Sequence, residues 1–167
     1  MKADTITSVQ FIDDEDFRQI MDMERELFPE ALWDCENYEQ KMEGGKITII
    51  AYAPDGKVAG YIFAVPHGEA YDDLKEVDSR MSPMQNAIYL ESIAIRSEYQ
   101  GRGYFSKLVK KLIEEVSGRP ITMHARVSNN CSVGMQKQGA VLDHSVENWF
   151  DSGERFDYLI IPGTKKE

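Results

Sequence analysis

The sequence predicts an α/β fold, a sandwich built around one mixed sheet. Three observations carry this. Segments rich in Ile, Val, Tyr and Phe are interspersed with segments of helical spacing along nearly the whole chain. One strand segment, Ala87 to Ile95, is apolar on both faces apart from Glu91 and Ser92, as suits a central strand covered on each side. Directly after it comes an amphipathic helix with the stripe Phe105, Leu108, Val109, Leu112, Ile113 and Val116.

The first element is a strand over Thr5 to Phe11. Asp13 to Asp16 then supply acidic residues suited to a helix N-terminus. The stripe Phe17, Ile20, Met21, Glu24, Leu27 and Phe28 has helical spacing, and Pro29 ends it. Glu24 reads as a border residue reaching solvent, with a buried functional acid as the alternative. A shorter second helix is expected over Asn37 to Glu43, ending at Gly44-Gly45. Lys46 to Ala53 and Lys57 to Val65 form a hairpin around Pro54-Asp55-Gly56, where Pro presets one dihedral and Gly accepts positive φ. Residues 66 to 86 are polar and acidic, with Glu69, Asp72, Asp73, Glu76 and Asp78 between Pro66 and Pro83. They read either as a lid or binding loop, or as a solvated insertion with a helical turn.

After the central strand, Lys107, Lys110, Lys111, Glu114 and Glu115 face water on the amphipathic helix, which Gly118 and Pro120 stop. Ile121 to Val127 is a further strand and Ser132 to Gln138 a short helix closed by Gly139. Ala140 to Glu147 and Arg155 to Ile161 form a long hairpin through Asp151-Ser152-Gly153. Trp149-Phe150 at its tip suits a substrate or dimer surface, or plain hairpin packing.

Composition narrows the function. The 167 residues favour a single domain, 1–167, with a real core. A formal net charge of −10 argues against nucleic acid or an anionic membrane as partner, because both demand a basic face. No apolar run approaches the roughly 20 residues of a membrane span. Met1 to Asp4 lack the basic and apolar regions of a secretory signal. Cys35 and Cys131 make neither a disulfide framework nor a paired metal-ligand spacing, so a reduced, cytoplasmic setting without metal is expected.

The stretch that carries chemistry is Ser97-Glu98-Tyr99-Gln100-Gly101-Arg102-Gly103-Tyr104-Phe105-Ser106, between the central strand and the amphipathic helix. Its glycines let the backbone turn tightly and approach a ligand. The amides of the helix's first turn lack intrahelical partners and carry partial positive charge, which suits phosphate. The G-K-[ST] ending of a P-loop and the third glycine of a Rossmann fingerprint are both missing.

Leu90-Glu91-Ser92-Ile93-Ala94-Ile95 followed by Gln100-x-x-Gly103 at a helix start resembles motif A of the GNAT superfamily of acyl-CoA-dependent N-acyltransferases. Glu24 through Trp33, with Phe28-Pro29, resembles the loop between the first two helices of protein N-acetyltransferases, and Asn129-x-x-Ser132 with Lys137-x-Gly139-Ala140 resembles a later family segment. The resemblance implies a mixed, mostly antiparallel sheet flanked by helices on both faces, and direct acetyl transfer from acetyl-CoA to a primary amine. It implies that Gln100, Gly101, Arg102, Gly103, Tyr104, Phe105 and Ser106 hold the pyrophosphate. Amides around Ile93, Ala94 and Ile95 would hold the pantetheine arm, Asn129 would bind the cofactor, and Phe28 and Trp33 the substrate. Two departures stand out. Phe105 replaces the last Gly/Ala of motif A, and Gln136 stands where relatives place an acid tyrosine. Water, Tyr104 or Tyr158 could serve in its place.

The attacking amine must be neutral, yet a lysine amine has a pKa near ~10.4 and an α-amine near ~8. A general base is therefore needed. Glu91, on one face with Ile93 and Ile95, is the candidate, against a purely ion-pairing carboxylate. His67, His124 and His144 are scattered and read as structural. The acidic chain suggests a cationic acceptor such as a polyamine, a Lys side chain, a protein N-terminus, a basic peptide or an aminoglycoside. A homodimer is one option for its assembly. The competing class is a non-catalytic acyl-CoA-binding or protein-interaction module on the same fold. A third is an unrelated nucleotide-binding protein.

Overall fold

The computed structural model describes residues 4–28 and 40–164. Seven strands form one sheet: β1 (Thr5–Val9), β2 (Ile47–Tyr52), β3 (Val58–Pro66), β4 (Ile88–Ile95), β5 (Ile121–Arg126), β6 (Val141–Val146) and β7 (Phe156–Ile161). Their order is β1-β2-β3-β4-β5-β7-β6. β1 with β2, β5 with β7 and β6 with β7 pair antiparallel, whereas β4 and β5 pair parallel. Four helices accompany the sheet: α1 (Asp14–Leu27), α2 (His67–Leu74), α3 (Tyr104–Glu115) and α4 (Cys131–Lys137). The mixed, mostly antiparallel sheet is the one the sequence predicts. The chain forms two compact units, Met1–Phe63 with Ser92–Glu115, and Ala64–Glu91 with Val116–Glu167.

In the first unit, Asp13 caps α1 by accepting from the Asp16 amide at 2.8 Å. Asp14, Glu15 and Asp16 fill the first turn, where the helix dipole favours negative charge. Ile20 and Met21 of the predicted stripe are buried, and so is Met23, which the stripe did not include. Glu24 departs from expectation: it is 4% exposed and accepts from the Ser92 hydroxyl at 2.8 Å. A partner inside the fold removes its need to reach water.

Part of the expected second helix, 37–39, lies outside the described residues. The remainder is not helical. Lys41 bridges antiparallel to Phe11, the Ile12 amide donates to the Gln40 carbonyl at 2.7 Å, and the Met42 amide donates to the Gln10 carbonyl at 3.0 Å. Pairing with the chain beyond β1 wins over a helix too short to be stable alone.

The helix α3 packs on β1 and β2, burying Leu108, Val109 and Leu112 completely. Phe105, expected in the stripe, is half-buried. Tyr104 takes the inner place at the helix start, 3% exposed, and its hydroxyl donates to Asp4 at 2.6 Å.

In the second unit, β5 runs against β7 from Ile121↔Ile161 to Arg126↔Phe156. The β6–β7 ladder carries an irregularity between Leu142 and His144. The parallel ladder of β4 and β5 is short, with register pairs Ile88↔Ile121 and Tyr89↔Thr122. Leu90 and Glu91 continue β4 beyond those pairs. The 66 to 86 segment is no open loop. It contains α2 and is anchored by His67, Ala70, Asp78 and Met81, all buried. His67 Nδ1 lies 2.7 Å from the Thr122 hydroxyl and Nε2 lies 2.8 Å from the Ser82 carbonyl. The short helix α4 packs on β5 and β7, and Ser132 donates to buried Asp157 at 2.6 Å.

Candidate active site

The first unit shapes the exit of β4. The Arg96 amide donates to the Ala59 carbonyl at 2.8 Å, and its guanidinium donates to the Val58 carbonyl at 3.0 Å and to Gln19 at 2.9 Å. Opposite, a Cβ on Gly60 would sit 2.7 Å from the Ala94 carbonyl oxygen and 2.8 Å from an Ile95 methyl. Only glycine lets β3 come this close. A 3-10 turn over Ser97–Tyr99 leads to Gln100, whose amide nitrogen donates back to the Ile95 carbonyl at 3.1 Å.

Gly101 and Gly103 have φ of +77° and +87°, the left-handed region that glycine enters without strain. A Cβ on either would meet nothing within 4 Å, so the chain is open on that side. The helix ladder starts with the Lys107 amide donating to the Gly103 carbonyl at 3.2 Å, so the amides of Tyr104, Phe105 and Ser106 precede it. Arg102 lies over the Tyr99 ring at 5.5 Å. A left-handed turn, leading amides, a helix dipole and a guanidinium together favour an anion such as a pyrophosphate.

The second unit carries the titratable cluster. Tyr89 and Glu91 lie two residues apart on β4 and so share a face. Glu91 is exposed; Tyr89 is 5% exposed, with its hydroxyl 2.8 Å from His124 Nδ1. His124 Nε2 lies 2.8 Å from Asp78 Oδ2, and His144 Nε2 lies 2.7 Å from the same oxygen. The other His144 nitrogen, Nδ1, is 2.6 Å from Asp143. Strand register explains the assembly. Tyr158 on β7 is the direct partner of His124 on β5 and of His144 on β6. The three rings form a row, at 4.7 Å and 5.0 Å, with Asp78 bonded to both imidazoles. The Trp149 ring lies tilted against His124, with centroids 4.5 Å apart.

Burial drives the His124 pKa down to about 4, against the opposing pull of Asp78. For Asp78 burial works upward, but hydrogen bonds from His124, His144 and the Arg80 amide outweigh it and hold the carboxyl below its usual range. Burial, and then the Glu91 charge, push Tyr89 well above the usual phenol value. The lowered pKa favours the neutral form of His124, whose Nε2 faces Asp78 and whose Nδ1 faces the Tyr89 hydroxyl. Hydroxyl, imidazole and carboxylate in series is an arrangement that can relay a proton.

A protein-family model described as the acetyltransferase (GNAT) family matches residues 15–140. The chain belongs to the GNAT acetyltransferase family. No curated protein matches this GNAT chain in sequence. Solved structures share its fold. The ribosomal-protein-S18-alanine N-acetyltransferase from Escherichia coli gives a TM-score of 0.72 at 17% identity, covering 98% of this chain and 96% of its own. NAA60 of Arabidopsis thaliana, in complex with acetyl-CoA, gives 0.68 at 19% identity, covering 93% of this chain and 96% of its own. An aminoglycoside 6'-N-acetyltransferase complexed with coenzyme A gives 0.73 at 14% identity, covering 98% and 99%.

In this GNAT chain the residues singled out from sequence divide between the units. Ile93, Ala94, Ile95 and Gln100 to Ser106 belong to the first. Glu91 and Asn129 belong to the second, where the Asn129 carbonyl oxygen accepts from the Cys131 amide at 3.0 Å. Phe28 is half-buried and closes α1, its amide donating to the Glu24 carbonyl at 2.9 Å. Trp33 lies outside the described residues. Gln136 is exposed and donates to the Ser132 hydroxyl at 3.1 Å. Both substitute tyrosines hold their protons more tightly than an ordinary phenol. Burial pushes Tyr104 and Tyr158 each up to about 12.

Sequence reasoning passed over Tyr89, Asp78 and the pairing of His124 with His144. No fixed spacing links them. The available signal was two histidines on strands that prove to flank one tyrosine. Among the described residues, no group of His, Cys, Asp and Glu is arranged to hold a metal ion, and no helix is long and apolar enough to cross a membrane.

Proposed function

We propose that the chain, acting as one GNAT N-acetyltransferase domain over residues 1–167, moves an acetyl group from acetyl-CoA directly to a primary amine. The observation that carries this is the Gln100-to-Gly103 turn opening α3 in a member of this family. Acetyl-CoA supplies an activated acyl group on a thiol of ordinary pKa near ~8.5, a leaving group that tolerates the lack of a dedicated acid at Gln136. The amides of Gly101 to Ser106 hold the pyrophosphate, and those of Ile93 to Ile95 hold the pantetheine arm and polarise the thioester carbonyl. Asn129 makes a further cofactor contact, and Phe28 and Trp33 border the amine site.

Glu91, exposed on β4, takes the proton that the amine must lose. The structural neighbours include enzymes named for a protein alanine and for aminoglycosides. With a net charge of −10, a cationic acceptor, small molecule or peptide, fits best. The test is acetyl-CoA turnover over polyamines, aminoglycosides, lysine peptides and peptides with free N-termini. Turnover on at least one amine is expected. CoA binding with no turnover on any of them favours a binding module instead.

A further inference from the structure

Asp4 stands one residue ahead of β1, the strand on which α3 packs. Its carboxylate meets the first turn of that helix. The Tyr104 hydroxyl donates to Oδ1 at 2.6 Å, and the Lys107 ammonium donates to Oδ2 at 3.4 Å. Tyr104 and Lys107 are three residues apart and so share a face, with the ammonium 5.8 Å from the ring centroid. The buried Tyr104 hydroxyl needs an acceptor, but a neutral oxygen would serve it. The full negative charge does something more. It engages the cations beside the Gly101-to-Ser106 turn, Lys107 by contact and Arg102 at longer range. These cations, with the helix dipole, are what an anionic ligand of that turn would use.

We propose that Asp4 is an internal rival of the cosubstrate's phosphates, a carboxylate that holds Lys107 and weakens the pull of the Gly101-to-Ser106 turn on CoA. The inference rests on the reading of that turn as the pyrophosphate cradle. An ammonium on a four-carbon stem can swing from one anion to another. While it is paired with Asp4, it reaches a phosphate only by giving up that pair. The pair is half open to water, with the Lys107 side chain 50% exposed and that of Asp4 30%, so it is weak enough to be displaced. Asp4 therefore lowers affinity without closing the site. A looser hold also lets spent CoA leave sooner. The Tyr104 bond keeps the carboxylate in place while Lys107 moves, because that hydroxyl is buried and fixed.

The test is calorimetric titration of the full chain with CoA. Asp4→Asn removes the charge but keeps an oxygen for the Tyr104 hydroxyl. Its Kd for CoA should fall about two- to fivefold at low salt, the range of an exposed ion pair. The gain should fade toward 1 M salt, where screening acts over about 3 Å. Lys107→Gln should cost more affinity in the Asp4→Asn chain than in the native one, because only there can the ammonium turn to a phosphate at no loss. Asp22→Asn on α1 removes the same charge from beside Arg18 and Arg25 and should leave Kd unchanged. Should Asp4→Asn fail to fold, Asp4→Ser takes its place with the same outcomes expected. An Asp4 that only anchors Tyr104 would give equal or weaker CoA binding in the folded variant. That result, an equal gain from Asp22→Asn, or additive effects of the Asp4 and Lys107 substitutions would each overturn the proposal. CoA bound as tightly by Gly103→Asp as by the native chain would reject the cradle itself. CoA binding that depends on Gly103 but does not tighten in Asp4→Asn would reject the role of Asp4 alone.

Discussion

A base that deprotonates an amine must reach it, and the two carboxylates weighed from the sequence differ in this respect. Glu24 is buried and bonded by Ser92, whereas Glu91 is exposed on β4. Glu91→Gln keeps shape but cannot accept a proton. Loss of a general base typically costs 10²- to 10⁴-fold, so kcat should fall at least about a hundredfold with CoA affinity near normal. The deficit should shrink at high pH, where more amine is already neutral. Retention of more than about a third of native turnover, with a saturating amine and chemistry rate-limiting, would place the base elsewhere than Glu91. Gly103→Asp tests the other half of the reaction. Its φ of +87° strains any side chain, and the new carboxylate would repel a pyrophosphate. CoA affinity should collapse, and micromolar binding by the folded variant would remove the cradle from this turn. Motif A was legible because local spacing dictates a local turn. The His124–Asp78–His144 cluster was not, because strand register and the α2 segment bring its members together.

Elements read well from sequence where periodicity was long. The stripe of α3 placed Leu108, Leu112 and Val116 in the core, and all three are buried. Its start was misread at Phe105, since periodicity alone cannot tell which of two adjacent aromatic residues turns inward. The Asp4 carboxylate, which accepts from Tyr104, decides it. Leu112 is 0% exposed, so Leu112→Ala should lower stability by about 2 to 5 kcal/mol in chemical denaturation. A loss below about 0.5 kcal/mol would mean that the helix packs elsewhere. The short elements read poorly. The helix expected over 37–43 is extended where described, and α2 was hidden in a run of acidic residues whose buried anchors are polar as often as apolar.

At the scale of the molecule, acid should act through His124 first. The unfolded chain's imidazole takes up a proton near 6.5, while the folded ring holds out to about 4. Between those values the unfolded state binds more protons, so stability should fall by about 3 kcal/mol as pH drops through that window. Asp78, with its pKa depressed, loses its contribution at still lower pH, in the same direction. Urea unfolding across this range should show the decline, and His124→Gln should flatten it. Equal slopes in both proteins would contradict the assignment. Net charge gives a second global test. A chain at −10 should attract cationic acceptors over distance, so kcat/KM for a polyamine should drop with added salt while that for a neutral amine holds steady. Equal salt responses would remove the case for a cationic acceptor.

Both units are stitched from separate stretches of chain, and the seam falls inside β4, between Glu91 and Ser92. A ribosome releases the chain from one end only. When Glu91 emerges, the first unit still lacks Ser92–Glu115 and the second still lacks Val116–Glu167. The first unit can close only once Glu115 is out, so most of the protein must be synthesised before either unit has all its parts. Newly made chains therefore spend most of their synthesis holding half-built layers with apolar strands uncovered, the state in which chaperones find their clients.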